Sequence, residues 1–200
     1  MLGNIPPQNI PSPNIPSKDE CLRLIAETNM MDNIILHSRQ VSQVALFLAD
    51  QLNAVNFKLN RNLIFAAALL HDITKTRSLT TGENHAQSGA EMILSLGYPE
   101  VGHIIAQHVH LDYFCFQTPP NEAELVNYAD KRVLHENVVS LDERMAYIVK
   151  RYASTLDHMK RVQDLWEESQ QLEQKLFGYL TIDANNLALN LSKTPPKEPQ

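Results

Sequence analysis

Two hundred residues, 44% hydrophobic and 20% charged, suit one sizeable helical domain and give no reason to expect two. Only six glycines disfavour a glycine-rich phosphate loop or a turn-dense β fold, and a net charge of −6 argues against bulk electrostatic binding of nucleic acid. The two cysteines, Cys21 and Cys115, cannot build a disulfide framework and read as small hydrophobes in a reducing cytoplasm. Met1-Leu2-Gly3-Asn4 lacks the basic start of a signal peptide, and the longest apolar run, Leu63 to Leu70, is too short to cross a bilayer. The expected compartment is therefore the cytoplasm, with no membrane partner.

Residues 1–17 repeat one phrase, as Asn4-Ile5-Pro6, Asn9-Ile10-Pro11 and Asn14-Ile15-Pro16. Each proline removes a backbone donor and biases its predecessor towards extended backbone, which predicts a disordered or polyproline-like arm. Ser17 caps a helix to about Asn29, with Asp19 and Glu20 in its first turn, where the dipole favours them. Ile34, Val41, Val44, Ala45 and Leu48 recur at helical spacing and predict a long amphipathic helix from Asp32 to about Asn53. Arg61 to Asp72 is apolar nearly all round, so its helix belongs at the centre of the core. The next helix runs from Asn84 to Leu96 and stops at Gly97; Pro99 then starts another, through His108.

Thr118-Pro119-Pro120 breaks the chain, and Asn121 caps a helix through Asp130 to about His135. Helices over Leu141–Ala153 and His158 to about Tyr179 complete the bundle, and no strand-period segment of useful length is visible. The last helix, with its stripe of Trp166, Leu172 and Leu176, packs on its own domain or serves as a homodimer surface. The expected fold is all-α: an arm at 1–17, a catalytic helical domain at 18–155, a helical extension at 156–191 and a disordered tail at 192–200.

The placement of the histidines carries the chemistry. His37 lies in the long amphipathic helix, His71-Asp72 ends the most buried one, His85 opens the next, His108 closes its successor, and Asp130 lies in the one after. Five successive helices thus each supply an imidazole or a carboxylate, and facing helices of a bundle can bring such groups to one point. Adjacent residues on a helix project about 100° apart, so His71 and Asp72 share a metal only near a helix end. Polar groups at the edge of a dry core need partners, and a divalent cation is a good one. Imidazole and carboxylate without cysteine suit iron, manganese, cobalt, nickel or zinc. Six such ligands suit two ions with Asp72 between them.

The order His37, His71-Asp72, Asp130, with the phrase Ala68-Leu69-Leu70-His71-Asp72-Ile73-Thr74-Lys75, resembles the HD superfamily of metal-dependent phosphohydrolases. His85-Ala86, Gly89-Ala90, His108 and Tyr128-Ala129-Asp130-Lys131 are similar to a bacterial subgroup with two further histidines. Some of its members hydrolyse nucleotides such as diadenosine polyphosphates at a di-iron centre. The resemblance spans roughly residues 30–150. It implies a first metal on His37, His71, Asp72 and Asp130, and a second, bridged by Asp72, on His85 and His108. Thr74 replaces the family's usual glycine. Gly97-Tyr98-Pro99 spells a triplet of the cyclic-dinucleotide branch, but it sits before His108 and reads as a helix stop and restart.

The resemblance implies cleavage of a phosphoester or phosphoanhydride bond, in a phosphorylated small molecule such as a nucleotide, by a metal-activated water. Asp72 and Lys75 are the expected catalytic residues, and Lys75, Arg77, His110 and Lys131 the expected substrate contacts. His103, His135 and His158 are expected to have no role. Two rivals keep the fold: a di-iron oxygenase of the myo-inositol oxygenase type, and a non-catalytic regulatory or ligand-binding module.

Overall fold

A computed structural model describes residues 14–152 and 155–199. The helices are α1 (Lys18–Glu27), α2 (Asp32–Ala54), α3 (Arg61–Leu70), α4 (Lys75–Thr81), α5 (His85–Ser95), α6 (Pro99–Ala106), α7 (Glu122–Lys131), α8 (Leu141–Tyr152), α9 (Leu156–Phe177) and α10 (Leu187–Lys193). The one sheet among the described residues is a hairpin of β1 (Val133–Leu134) and β2 (Asn137–Val138), paired antiparallel. The fold is all-α, as the sequence predicts.

α3 sits at the centre because it has no polar face to show to water: Leu63 to Leu70 are all buried, and α2, α6 and α7 pack around them. α2 contributes Val41, Val44, Ala45 and Leu48, the stripe read from the sequence, all fully buried. Local capping sets the helix starts. Asn60 and Asn84 accept backbone N–H groups at the heads of α3 and α5, and Asn121 forms a reciprocal capping box with Glu124 at the head of α7. α5 ends before Gly97, whose φ of +88° is the left-handed turn that glycine adopts without strain. α6 then returns against α5 so closely that a Cβ at Gly102 would lie 2.9 Å from the Ala90 carbonyl oxygen.

α9 lies on α7 and α8, and its buried Leu172, Leu176 and Lys175 face its own domain. Lys175 donates to Glu124 at 2.6 Å and to the Cys115 carbonyl at 2.9 Å. Cys21 is buried, and burial pushes its thiol up to about 12; Cys115 is half-buried, and both are free.

The structure departs from the sequence reading in several places. α3 stops at Leu70, leaving His71 as its C-cap and Asp72 in the turn beyond. α6 stops at Ala106, two residues before His108. α7 stops at Lys131, and the hairpin replaces the expected continuation to His135. The first two copies of the repeat lie outside the described residues. The third is placed: Asn14 donates to the Gly97 carbonyl at 3.0 Å, and Ile15 packs on the core. At the other end α10 runs to Lys193, where the sequence reading has a disordered tail from 192. Arg61 then donates to the Lys197 carbonyl at 2.6 Å, and Lys18 pairs with Glu198 at 2.7 Å.

Candidate metal centre

His71 and Asp72 reach the middle of the molecule because the apolar α3 carries them there. His71 is fully buried and Asp72 is 6% exposed. Around them gather His37 from α2, His85 from the first position of α5, His108 from just beyond α6, and Asp130 from near the end of α7. His37, His71 and Asp72 form one potential metal-holding group, and Asp72, His85 and His108 a second. Asp72 belongs to both: its Oδ2 lies 3.5 Å from His71 Nε2, while its Oδ1 lies 3.1 Å from His85 Nε2 and 3.6 Å from His108 Nε2. Asp130 Oδ1 closes the first group, 3.0 Å from His37 Nε2 and 3.7 Å from His71 Nε2.

The hydrogen bonds behind these rings fix which nitrogen faces inward. Nδ1 of His71 bonds the Ala68 carbonyl at 2.7 Å, Nδ1 of His108 the Ile105 carbonyl at 2.7 Å, and Nδ1 of His37 the His135 carbonyl at 3.0 Å. A carbonyl only accepts, so each Nδ1 must carry hydrogen, and in the neutral ring the lone pair sits on Nε2. His85 arrives at the same state differently, because Lys75, a donor only, bonds its Nε2 at 3.1 Å. The Nε2 atoms of His85 and His108 are themselves only 3.1 Å apart. Lone pairs and carboxylate oxygens thus converge on one another, an arrangement that repels itself unless cations lie among them. His71 Nε2 and Asp72 Oδ1 are buried without a hydrogen-bond partner among the described residues. Orphaned acceptors of this kind, backed by carbonyls that fix ring orientation, are what a divalent transition metal requires, and the donor set fits one.

The electrostatics keep both carboxylates ionised and His108 neutral. Burial opposes charge on Asp72, yet His71, His85 and Lys75 together hold its carboxyl well below the usual range. Burial likewise opposes the Asp130 carboxylate, which Lys131, His37, Arg144 and His71 keep ionised far below its ordinary value. Burial depresses His71 too, but Asp72, Asp130 and the Ala68 carbonyl outweigh it and raise its pKa. His108, buried and next to His71, is pushed down to about 3 and stays neutral.

The remaining expected site residues fall in different places. Lys75 lines the cleft above Asp72, its Nζ 3.6 Å from Asp72 Oδ1. Lys131 is buried behind the ligands, bonding Asp130 Oδ2 at 3.0 Å and the His108 carbonyl at 2.6 Å. Arg77 is exposed and paired with Glu83, and His110 is exposed on the loop after α6. The cleft, of about 290 Å³, is also lined by His135, which the sequence reading expects to have no role, and by Arg144 and Tyr147, which it does not name. Arg144 and Tyr147 lie one turn apart on α8, a spacing readable in advance, but nothing local distinguishes them from surface residues. A larger groove of about 590 Å³, between α6 and the start of α7, contains none of the ligands. The candidate metal-holding residues therefore open on the smaller cleft, which His37 and Asp72 line.

The HD domain family matches residues 34–133, half of the chain and the stretch that holds every candidate ligand named above. The chain belongs to this family. Among curated relatives it is 28% identical to a tRNA (cytidine(56)-2'-O)-methyltransferase of Picrophilus torridus, over 65% of this chain and 40% of that protein. It is 33% identical to a Ribonuclease Y of Aquifex aeolicus, over 39% of this chain and 13% of that protein. The chain thus spans well under two thirds of the length of either. It is also similar to the crystal structure of a predicted HD superfamily hydrolase from an uncultured Thermotogales bacterium, at 21% identity and a TM-score of 0.48, covering 82% and 94% of the two chains. Among the described residues no helix is long and apolar enough to cross a membrane.

Proposed function

We propose that this HD-domain chain is a metal-dependent phosphohydrolase acting on a nucleotide-type phosphoester or phosphoanhydride in the cleft above Asp72. The observation that carries the reading is Asp72 shared between two histidine groups, with the Lys75 ammonium beside it on the open side. Two divalent ions, iron or manganese first, held on His37, His71, Asp72 and Asp130 and on Asp72, His85 and His108, would supply Lewis-acid activation of a phosphoryl oxygen and of a water.

The chain's own residues then have defined tasks. Asp72 holds the two halves of the centre together through its separate oxygens. The carbonyls of Ala68, Ile105 and His135 keep three rings pointing inward, which preorganises them for metal. Lys75, one-third exposed, is placed to neutralise charge that grows on phosphate oxygens at the mouth of the site. The name of the Aquifex aeolicus relative, a ribonuclease, is in keeping with attack on a phosphate ester. The methyltransferase name concerns a protein of which this chain spans a minor part, and it is not carried over.

The test combines metal analysis of anaerobically purified protein with a screen of nucleotides and phosphoesters for phosphate or nucleotide release. Asp72→Ala should lose both metal and turnover, and turnover retained by a metal-free Asp72→Ala protein overturns the reading. Dioxygen consumption with a polyol or phosphonate, with no release from any phosphoester, would assign the centre to oxygen chemistry instead.

A further inference from the structure

α8 lies outside the matched stretch 34–133, yet one of its faces closes the cleft. Arg144, Tyr147 and Arg151, at spacings of three and four, all line it together with His37, Asp72 and Lys75. The Arg144 side chain is 17% exposed, and its Nε is buried with no hydrogen-bond partner among the described residues. The nearest anionic atom to its Nη2 is Asp130 Oδ1, at 4.0 Å, the outer limit of an ion pair. That carboxylate already serves His37 at 3.0 Å and Lys131 at 3.0 Å. A guanidinium with an unmet N–H, held next to a candidate metal cage, needs an acceptor that none of the described residues provides. Its planar fork of donors matches the oxygens of a phosphate group.

The adjoining wall is aromatic. The Tyr147 ring meets the His135 ring edge-on, with centroids 5.6 Å apart. His135 stands at the hairpin tip with φ of +56°, and its carbonyl orients His37. One short turn therefore sets both a metal ligand and the side of the cleft. The volume of about 290 Å³ is at the small end of ligand clefts, which run roughly 300–1,000 Å³, and suits a single mononucleotide unit.

We propose that Arg144 is a substrate-binding residue, gripping with Lys75 the phosphate of a mononucleotide unit whose planar base lies against Tyr147. The proposal rests on the phosphohydrolase reading and adds the residues that select the substrate. It is tested by titrating inorganic phosphate and adenosine monophosphate into the manganese-loaded protein in a calorimeter, with metal content measured on the same samples. Arg144→Gln should weaken both probes at least tenfold at unchanged metal content. Arg144→Lys, which keeps the charge and loses the fork, should fall between it and the natural protein. Tyr147→Ala should weaken adenosine monophosphate and leave inorganic phosphate unchanged.

Undiminished binding by metal-replete Arg144→Gln, or by both Arg144 variants, overturns the clamp alone. Loss of metal together with phosphate in Arg144→Gln also overturns it, by making Arg144 a support for Asp130. Equal effects of Tyr147→Ala on the two probes overturn the placement of the base. A metal-replete natural protein that binds neither probe overturns the phosphohydrolase reading, and the clamp falls with it.

Discussion

Thr74 stands where the resembling motif carries glycine, and its backbone, at φ −102° and ψ 4°, makes no demand for one. The hydroxyl instead donates to the His85 carbonyl at 2.9 Å and lies 3.0 Å from Ser88 Oγ. The turn after the doublet is thereby tied to the head of α5, where a ligand sits. Thr74→Val keeps the shape and removes the bond, at a cost of about 0.5–1.5 kcal/mol. Thr74→Ser should keep it. Because the lost bond positions His85 alone, Thr74→Val is expected to lower metal stoichiometry from two towards one, measured by elemental analysis after dialysis. Lys131 is the second such residue. Lys131→Met strips the cation from a buried Asp130 and should cost about 3–5 kcal/mol in chemical denaturation without added metal. A loss below about 1 kcal/mol, the range of an exposed pair, would show that the ammonium is not needed there.

Among the elements, α9 is fastened by a charge as well as by its apolar stripe. Lys175 and Glu124 form a fully buried pair that also holds the Cys115 carbonyl, joining α9, α7 and the loop before α7. Lys175→Met alone leaves Glu124 uncompensated and should cost about 3–5 kcal/mol, whereas Lys175→Met with Glu124→Leu should recover most of it. A double-mutant cycle in urea measures this, and additive losses would deny the coupling. The same scale shows what was legible in the sequence. The ends of α1 and α5 and the start of α7 were readable because a capping side chain marks them, and α2 was readable from its apolar stripe. α4 was not readable, since Lys75–Thr81 buries no residue and offers no stripe. Neither was the hairpin, whose two-residue strands turn through His135-Glu136 without the Asn-Gly signature of such turns. The ligand residues could be named from the doublet and its context. Arg144 and Tyr147 could not, because only the fold shows which face of α8 meets the cleft.

At the scale of the whole molecule, the candidate centre joins elements that are otherwise linked chiefly by side-chain packing. Its ligands come from α2, the end of α3, the head of α5, the segment after α6, and α7, which together surround the core. Metal held there acts as a cross-link among all five, so its removal should be felt far from the cleft. Any ligand that binds only the folded chain stabilises it by RT ln(1 + [L]/Kd), about 2.7 kcal/mol at a hundredfold excess over Kd. For a chain of this size that corresponds to a fall in Tm of roughly 5–10 °C on treatment with a chelator. The distribution of the effect is more diagnostic than its size. Converging lone pairs on His85, His108 and the two carboxylates repel one another where no cation lies between them, and each sits on a different element. Amide hydrogen exchange should therefore quicken together in α2, α3, α5, α6 and α7 of the chelated protein, and return on adding manganese. Quickening confined to the cleft residues of α4 and α8 would mean that the bundle holds its shape without the centre, and that the metals serve chemistry alone.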